Sequence, residues 1–369
     1  MKRRSFLKKA AVGLAAGTVA APAIVHAQQA INWRMAASWP KALDTLYGGA
    51  EHLAKRVGEM SGGKFNIKVF AAGEIVGGLQ VLDAVQSGTV ECGHTAPYYY
   101  FGKDQAFAFG TNLPFGMNAR QRSAWYQFGG GLELMREFFQ DYNMINFLAG
   151  TTGAQMGGWY RKPIKSLADL KGLKMRIGGT GGQVLTKLGV VPQQIAGGDI
   201  YPALEKGTID AAEWVGPYDD EKLGFYKVAK HYYYPGWWEG GSTLDLLVGN
   251  KAWAALPKEY QSMIEAASLE AYAWMMAKYD ALNPPALKRL LAGGAILSPF
   301  PNEILAAAYK VSEEIYHGFA AQSPKFKKIY DNWYKFREDQ VQWFSIAEGH
   351  FDNFMAAAQR SAQRSMRKK

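Results

Sequence analysis

The sequence contains few of the residues on which metal, redox and nucleophilic catalysis depend. Cys92 is the single cysteine, which excludes an intrachain disulfide, an iron–sulfur cluster and a cysteine-based zinc site. The six histidines form no His-x-x-x-His pair, and the lone Glu-x-x-His at Glu314 and His317 is typical of a helix surface. There is no Gly-x-Ser-x-Gly motif and no histidine in a triad context, so a hydrolase is poorly supported.

The excess of basic residues is concentrated at the two ends of the chain. The formal net charge is +10, but five basic residues and no acidic residue lie in residues 1–27. Five more basic residues lie between Arg360 and Lys369. The body between the two ends is therefore nearly neutral, which argues against nucleic acid as a partner.

Residues 1–27 follow the order of a secretory signal peptide. The paired Arg3 and Arg4 precede a short apolar stretch at residues 10–24, and residues 25–27 offer a cleavage site. Paired arginines are typical of the twin-arginine export route; an ordinary secretory signal is the alternative. The apolar stretch is short and rich in alanine and glycine, which argues against a membrane anchor. We therefore expect a periplasmic protein of roughly 340 residues after cleavage, a length that favours two domains.

The chain after the signal alternates strand and helix patterns. The predicted order is strand Ile31–Ser38, helix Thr45–Met60, strand Lys64–Phe70, helix Gly78–Ser87 and strand Val90–Thr95. This alternation predicts the α/β class with an open sheet. We assign residues 28–150 to a first α/β domain, to which later segments return.

A second unit of similar construction is predicted within residues 151–250. Residues 84–93 and 203–212 match as a helix, a Gly-Thr turn and a strand whose second residue is acidic. Chance similarity in a short window is the alternative. If the two units share one construction, their strand ends near residues 94–98 and 213–217 face a common cleft, since ligands of open α/β sheets bind beyond the carboxyl ends of strands.

The last third, residues 251–369, is predicted to be mainly helical and to bridge the two domains. The predicted elements are a helix Pro257–Leu282 interrupted by Asn283-Pro284-Pro285, a short strand Ile296–Pro299, and long helices Glu303–Gln322 and Pro324–Gln363. Aromatic residues recur along the last helix. They indicate packing onto the sheets, with a helix-mediated dimer contact as the alternative.

The segment Ser166–Arg176, followed by the turn Gly207–Ala211, resembles the solute-binding proteins of tripartite ATP-independent periplasmic (TRAP) transporters. The resemblance spans essentially the whole mature chain. Residues Gly73–Gly78 and Ala211–Pro217 are similar to the branch that binds 2-oxo acids or lactate together with a metal cation. It implies a two-domain periplasmic-binding-protein fold with a cleft between the domains and long C-terminal helices. It also implies membrane-embedded partner subunits, no enzymatic activity and closure on a small organic acid anion, and it allows a homodimer.

The resemblance implies that Arg176 pairs with the substrate carboxylate. The chemistry agrees, because a guanidinium offers a planar fork that matches a carboxylate, whereas a lysine supplies only a point charge. A surface arginine at a strand end is the alternative.

Aromatic residues near the predicted cleft are the other candidates for substrate binding. At least one tyrosine of the run Tyr98, Tyr99 and Tyr100 is expected to offer a hydroxyl to the ligand, although half-buried packing is the alternative. Trp39 is a candidate for the pocket wall. Trp237 and Trp238 are candidates for the opposite wall or for packing.

The resemblance also implies a cation site built from oxygen ligands. Glu213 and Glu239 would supply carboxylates, Gln155 an amide oxygen and Trp214 a backbone oxygen; Gln155 and Trp214 would also contact the substrate. Such a set suits Na⁺ or Ca²⁺ and not zinc or copper. Two glutamates and a monocarboxylate bring three negative charges, and Arg176 brings one positive charge. A divalent ion would therefore make the net charge of the occupied site zero. This favours Ca²⁺ without excluding Na⁺.

Two other functions stay open at this point. An exported oxidoreductase would use the run Gly178–Gly182 to cradle a phosphate, but that run lacks Gly-x-Gly-x-x-Gly spacing. An orphan sensor that binds the same ligand for a receptor is not distinguished from a transport protein. Pyruvate, longer 2-oxo acids and lactate all remain candidate ligands.

Overall fold

The computed structural model of the protein describes residues 30–366, so the predicted signal peptide lies outside the described residues. The strands are β1 (Ile31–Ala37), β2 (Phe65–Phe70), β3 (Cys92–Thr95), β4 (Met144–Thr151), β5 (Trp159–Tyr160), β6 (Lys174–Arg176), β7 (Val191–Gln193), β8 (Ala211–Ala212), β9 (His231–Tyr234), β10 (Thr243–Gly249) and β11 (Ile296–Pro299).

The α-helices are α1 (Leu46–Met60), α2 (Val81–Gln86), α3 (Ala108–Thr111), α4 (Ala119–Phe128), α5 (Gly131–Gln140), α6 (Gly179–Lys187), α7 (Gly197–Glu205), α8 (Pro217–Leu223), α9 (Asn250–Ala255), α10 (Lys258–Ala292), α11 (Asn302–Gln322), α12 (Pro324–Phe344) and α13 (His350–Met366). Short 3-10 turns lie at Pro97–Tyr100, Gln105–Phe107, Leu167–Leu170 and Phe225–Lys227. Across residues 30–366, no helix combines the length and apolarity needed to cross a bilayer.

Two sheets organise the molecule. The first has the order β2-β1-β3-β10-β4, in which β1 runs parallel to β2 and β3 while β10 is antiparallel to both of its neighbours. The second has the order β11-β9-β5-β8-β6-β7. The chain thus returns to the first sheet at β10 and to the second at β11. The domain boundaries at residues 150 and 250 stay predictions.

Helices cover both faces of the first sheet. One apolar cluster joins Met35, Leu53, Phe147 and Ile264, and so packs α1 and α10 against one face. A second cluster packs α2, α4 and α5 against the other face. Side chains that alternate along β1 supply both clusters, because successive residues of a strand point to opposite sides.

The predicted internal repeat is present in the structure. In both copies a helix ends at a glycine with positive φ, Gly88 at 75° and Gly207 at 72°, and a short parallel strand follows. A left-handed backbone at this place favours glycine. The two strands β3 and β8 run straight into the residues that form the candidate site described below.

The predicted interruption at Asn283-Pro284-Pro285 is wrong, because α10 continues through it to Ala292. Both prolines remove helical hydrogen bonds, but contacts on either side hold the helix. Tyr279 donates a hydrogen bond to Asp219 at 2.7 Å, and Arg289 donates to Glu221 at 2.7 Å. The helix therefore packs against the first sheet with its N-terminal part and against α8 with its C-terminal part.

The last predicted helix is divided in the structure. The segment α12 ends at Phe344, a π-helical turn covers Ser345–Gly349, and α13 follows. Phe326, Trp333 and Arg337 of α12 are buried against the body of the protein. In contrast, every described residue of α13 is exposed or nearly so.

Candidate functional site

A cavity lies where strand ends of the two sheets meet, and its empty space, including the part open to solvent, is about 280 Å³. It is lined by Trp39, Leu46, Ala96, Tyr98, Tyr99, Thr111, Thr152, Gln155, Trp214, Val215, Glu239, Ser242 and Leu244. Six residues predicted to bind the substrate or the cation are among them: Trp39, Tyr98, Tyr99, Gln155, Trp214 and Glu239. Arg176 and Glu213 are not. Arg176 adjoins the lining through its contact with the ring of Trp214, and Glu213 is hydrogen-bonded to Arg176.

Arg176 and Glu213 form a buried ion pair on neighbouring strands. The parallel pairing of β6 with β8 places Arg176 beside Ala212, next to Glu213. The Nη1 atom of Arg176 donates to the Glu213 carbonyl at 2.9 Å and to its carboxylate, while Nε donates to the carbonyl of Ile195 at 3.1 Å. In the described part of the chain, Nη2 of Arg176 and Oε2 of Glu213 have no hydrogen-bond partner.

Trp214 lines the cavity and also contacts Arg176 of the ion pair. Its ring lies 4.9 Å from the guanidinium carbon of Arg176, a cation–π contact. The close packing of Gly197 against the indole leaves no space for a β-carbon there. The buried Nε1 of Trp214 donates to none of residues 30–366, so a second free N–H lies at the cavity beside Arg176.

The amide of Gln155 has a fixed orientation. Its Nε2 atom donates to Thr152 Oγ1 at 3.1 Å and to Ser242 Oγ at 3.0 Å. Thr152 Oγ1 donates its own hydrogen to the Gly153 carbonyl and Ser242 Oγ donates to Glu239, so both hydroxyl groups can only accept from Gln155, which assigns the amide nitrogen. Oε1 is consequently free, and it is buried without a partner from the described residues.

Glu239 completes the acidic side of the cavity. The hydroxyl of Ser242 donates to its carboxylate, which links Glu239 to Gln155 through one side chain. Burial raises the pKa of Glu239, although the hydrogen bond from Ser242 and the charge of Arg176 oppose the rise. Burial also raises the pKa of Glu213; Arg176 opposes this rise and Glu239 adds to it. Both carboxyl groups therefore resist carrying charge unless a cation joins them.

Two tyrosines of the run after β3 line the cavity. The rings of Tyr98 and Tyr99 are stacked with centroids 5.0 Å apart. Burial raises the pKa of both hydroxyl groups, and Arg176 opposes that rise. Tyr100 turns away instead, and its hydroxyl accepts a hydrogen bond from the Leu82 amide at 3.0 Å.

Trp39 is held in the cavity wall by a neutral histidine. Trp39 Nε1 donates to His94 Nδ1 at 2.8 Å, and His94 Nε2 lies 3.2 Å from the Ala149 carbonyl, to which it donates. Burial lowers the pKa of His94 to about 4. The ring is therefore uncharged at neutral pH and acts as a fixed acceptor for Trp39.

The molecule has two halves, each built around one of the two sheets, and they touch around the cavity. The ring of Tyr98 packs on the backbone of Gly178 and Gly179, where a methyl group on either glycine would collide with it. Gln194, which follows β7, donates to the Tyr99 carbonyl at 2.8 Å. Because Tyr98 covers this glycine pair, the run leaves no space for the phosphate that the oxidoreductase alternative required.

Several site residues were not found from the sequence. Thr152 and Ser242, which orient Gln155, and His94, which holds Trp39, carried no motif. For Trp237 and Trp238, which were candidates for the opposite wall or for packing, the structure shows packing. Trp237 stacks on Phe115, and Trp238 meets Phe300 edge-on in the core of the second half.

The donor set fits a hard cation. Among residues 30–366 there is no group of three histidine, cysteine, aspartate or glutamate side chains that could hold a metal ion. The site instead combines two carboxylates with neutral oxygens. The partnerless oxygens Gln155 Oε1 and Glu213 Oε2 are hard ligands of the kind that Na⁺ and Ca²⁺ accept.

Residues 35–323 match the family described as bacterial extracellular solute-binding protein, family 7. The chain belongs to this family, that of the TRAP solute-binding proteins. It is 53% identical over 365 residues to the monocarboxylate 2-oxoacid-binding periplasmic protein of Nostoc sp., a match that covers 97% of this chain and 100% of that protein.

Solved structures of TRAP solute-binding proteins have the same fold. One from Bordetella bronchiseptica, a dimer with calcium and picolinate in one active site, is 56% identical, with a TM-score of 0.89 over 90% of this chain and 99% of that chain. One from Pseudoalteromonas atlantica, with bound sodium and pyruvate, is 38% identical, with a TM-score of 0.85 over 88% of this chain and 99% of that chain.

These relationships confirm the predicted fold class, a two-domain periplasmic-binding-protein fold with long C-terminal helices. As a TRAP solute-binding protein, the molecule is a periplasmic transport component that works with membrane subunits, and it is not an enzyme.

Proposed function

We propose that this TRAP solute-binding protein captures a small 2-oxo or 2-hydroxy monocarboxylate together with a bound Ca²⁺ or Na⁺. One observation carries the proposal. Four buried polar atoms of the cavity lining and of the ion pair beside it have no partners among the described residues, two oxygens and two N–H donors: Gln155 Oε1, Glu213 Oε2, Trp214 Nε1 and Arg176 Nη2. Buried polar atoms are costly when unpaired, so these four define what the ligand must supply.

The two oxygens and the carboxylate of Glu239 require a cation. The backbone oxygen of Trp214 is the fourth protein ligand in this proposal. A cation there would remove the repulsion between Glu213 and Glu239 that burial makes severe. The 2-oxygen and one carboxylate oxygen of the substrate would complete the coordination of the cation.

The two N–H donors require an anion. Arg176 Nη2 and Trp214 Nε1 would donate to the substrate carboxylate. Because Nε and Nη1 of Arg176 are already engaged, Arg176 would supply one strong donor unless Glu213 turns toward the cation. Among the described residues, the cavity lining includes no lysine and no arginine, so a second carboxylate on the ligand would find no cationic partner.

The far wall of the cavity is apolar and suits a short carbon chain. Leu46, Ala96, Val215 and Leu244 line it. This preference agrees with the ligands of the similar proteins, namely 2-oxo acids for the Nostoc protein and pyruvate for the Pseudoalteromonas protein. The calcium and the sodium in the two solved structures support a hard cation here as well.

Capture proceeds by closure. The open form admits the anion and the cation, and the halves then shut around them through Tyr98 and Gln194. The ligand favours the closed form only because it binds that form more tightly. The proposal also includes export to the periplasm through the twin-arginine signal at Arg3 and Arg4.

A homodimer through the C-terminal helices is also part of the proposal. Trp343, Ile346, Phe351 and Phe354 of the last helices expose about 60% or more of their surface. A groove of about 1130 Å³, walled by α4, α10 and α12 and including the 90% exposed Phe128, offers a matching apolar surface. The helix α13 of one copy would cover this groove of the other. The dimer of the Bordetella protein supports such an assembly.

Intrinsic tryptophan fluorescence tests the proposed ligand class. The mature protein is titrated with pyruvate, 2-oxobutyrate, lactate and succinate, each with Na⁺, with Ca²⁺, and in a choline buffer after chelation. We expect a saturating change with the monocarboxylates that weakens without the cation and is lost in Arg176→Ala. Equal binding of succinate without a cation would overturn both the ligand class and the metal site.

A further inference from the structure

One carboxylate joins the two halves outside the cavity. Asp44 lies in the loop between β1 and α1, two residues before Leu46 of the cavity wall. Its carboxylate pairs with Lys222, accepts from Lys278 Nζ at 3.1 Å and accepts from the Tyr218 hydroxyl at 3.1 Å. Lys278 also donates to the Asp44 carbonyl at 2.6 Å.

Two of the three partners of Asp44 belong to the other half of the molecule, and the third, Lys278, lies in α10, which packs against both the first sheet and α8. Lys222 and Tyr218 lie in α8, which begins two residues after the cavity residue Val215. Asp220 fixes α8 to the second sheet, because it accepts hydrogen bonds from Trp159 at 3.0 Å and from Tyr232 at 2.7 Å. Because α8 is tied to the second sheet and Asp44 to the first, a movement that parts the two sheets on this side of the cavity would move α8 away from Asp44.

Three hydrogen-bond donors converge on a carboxylate that is still half exposed. The side chain of Asp44 keeps 49% of its surface accessible. Burial raises its pKa, but the hydrogen bonds from Lys222 and Lys278 outweigh this and hold the pKa below its ordinary value. Ion pairs in such a position are weak and are screened by salt, which suits a contact that must form and break in each transport cycle.

We propose that Asp44 is a positioning residue, a clasp that holds the two halves together over the occupied cavity and sets how fast the ligand leaves. The clasp touches neither the ligand nor the cation. It acts after the ligand has entered, because its partners meet only when the halves are in contact. The proposal rests on the proposed function only through the choice of ligand for the kinetic test.

The kinetic test uses Asp44→Asn, which keeps the size of the side chain and removes its charge. Stopped-flow tryptophan fluorescence follows the dissociation of pyruvate at fixed Ca²⁺ with choline chloride as the variable salt. We expect dissociation about 3- to 10-fold faster than in the wild type and association within 2-fold, as fits two weak ionic contacts and one hydrogen bond. Raising the salt should accelerate dissociation from the wild type and leave the variant unchanged.

The matched control is Glu51→Gln, which removes a negative charge from α1 of the same half. Glu51 makes no salt bridge within residues 30–366, so its removal should leave both rates unchanged. Lys222→Met alone should reproduce Asp44→Asn in part, and the double variant should show less than the product of the two effects. Equal dissociation rates in the wild type and Asp44→Asn would overturn the clasp.

A second measurement needs no ligand and so separates the clasp from the proposed function. Spin labels at Lys64→Cys in the first half and Lys187→Cys in the second report the distance between the halves. At low ionic strength, Asp44→Asn should shift the distribution toward longer distances, while Glu51→Gln should not. Identical distributions would overturn the clasp. If the wild type binds none of the tested acids, the proposed ligand class fails and this measurement alone decides the role of Asp44.

Discussion

The Nη1 atom of Arg176 donates to both the carboxylate and the backbone carbonyl of Glu213, the latter at 2.9 Å, with both side chains almost completely buried. Glu213 thus holds Arg176, the group proposed to bind the anion, and itself supplies a carboxylate proposed to bind the cation. Nη1 of Arg176 is used by Glu213 and Nε by the carbonyl of Ile195, which leaves Nη2 of Arg176 and Oε2 of Glu213 for the ligand. Cation and anion should consequently bind cooperatively.

Arg176→Lys should weaken pyruvate binding about 100-fold, even though the positive charge is retained. A lysine cannot bond Ile195, Glu213 and a carboxylate at the same time, because it lacks the planar fork. Loss of the buried pairing should also lower the free energy of unfolding by roughly 3 kcal/mol. Calorimetric titration and thermal melting measure the two effects. Arg161→Lys, at an exposed site of the same half, is the control, and an unchanged affinity in Arg176→Lys would refute the assigned role.

Glu239→Gln should change the cation that the site prefers. With one carboxylate fewer, the charges of Glu213, Arg176 and a monocarboxylate sum to −1, which Na⁺ balances and Ca²⁺ exceeds. We expect the affinity for Ca²⁺ to fall about 10-fold or more, and Na⁺ to support pyruvate binding at least as well. Pyruvate titrations at fixed concentrations of each ion show this. Glu133→Gln, on the exposed face of α5, should keep the wild-type preference, and retention of the Ca²⁺ preference in Glu239→Gln would exclude Glu239 as a ligand.

The stability of the cation-free protein should fall as the pH rises from about 4.5 to about 8 and should level off above that range. Burial raises the pKa of Glu213 to about 8 and that of Glu239 to about 7, so between about pH 4.5 and 8 the folded state binds more protons than the unfolded chain. The stabilisation is present at low pH and is lost above these pKa values. Buried Asp219, Asp220 and Asp245, whose pKa values burial raises to about 7, add to the same trend.

Thermal melts in chelator from pH 5.5 to 8.5 measure this trend, and Glu239→Gln should make it shallower. Because a cation needs both carboxylates ionised, its apparent affinity should rise over the same range. A Ca²⁺ affinity that does not depend on pH would contradict the placement of the ion between the two glutamates.

Gly179→Ala should weaken ligand binding much more than it weakens the fold. Gly179 has a φ of 58° and lies against the ring of Tyr98, so a methyl group would keep the halves apart. Gly172→Ala is the matched control, since Gly172 has a φ of 73° but a methyl group on it would meet no atom of the described residues within 4 Å. Both variants should lose about 1 kcal/mol of stability, and only Gly179→Ala should raise the Kd for pyruvate, by about 10-fold or more. Equal Kd values would show that Tyr98 does not seal the cavity.

Phe354→Glu should convert the proposed dimer to a monomer. Phe354 is 68% exposed on α13, on the same helical face as Phe351 and Met355. Asn353→Glu places the same charge on the opposite face and should leave the mass unchanged. Sedimentation velocity distinguishes the two states, and a wild-type monomer at all concentrations would exclude the dimer.

Much of the site was predictable because its residues follow motifs. The segment around Arg176 and the repeat that precedes Glu213 identified the family, and the strand ends near residues 94–98 and 213–217 do meet at the cavity. The partners that orient these residues were not predictable: Thr152 and Ser242 are ordinary hydroxyl residues, and only the folded chain brings them to Gln155.

The parts of the fold that were missed have similar physical causes. The strands β4 and β10, which were not predicted, pair across almost 100 residues of sequence. Their register depends on tertiary contacts that local patterns do not encode. The prolines of α10 carry a strong local signal to end a helix, but packing against α8 outweighs it. The sequence alone does not show how many of the three adjacent tyrosines face the cavity. In the structure, the turn after β3 places Tyr98 and Tyr99 in the cavity wall and Tyr100 against Leu82.

A crystal structure of the protein grown with pyruvate and Ca²⁺ tests the central claim most directly. The account predicts an anomalous signal for calcium at about 2.3–2.6 Å from oxygens of Gln155, Glu213, Trp214 and Glu239. It also predicts a pyruvate carboxylate within hydrogen-bond distance of Arg176 Nη2. A pyruvate bound away from Arg176, or bound there with no ion between Glu213 and Glu239, would contradict it.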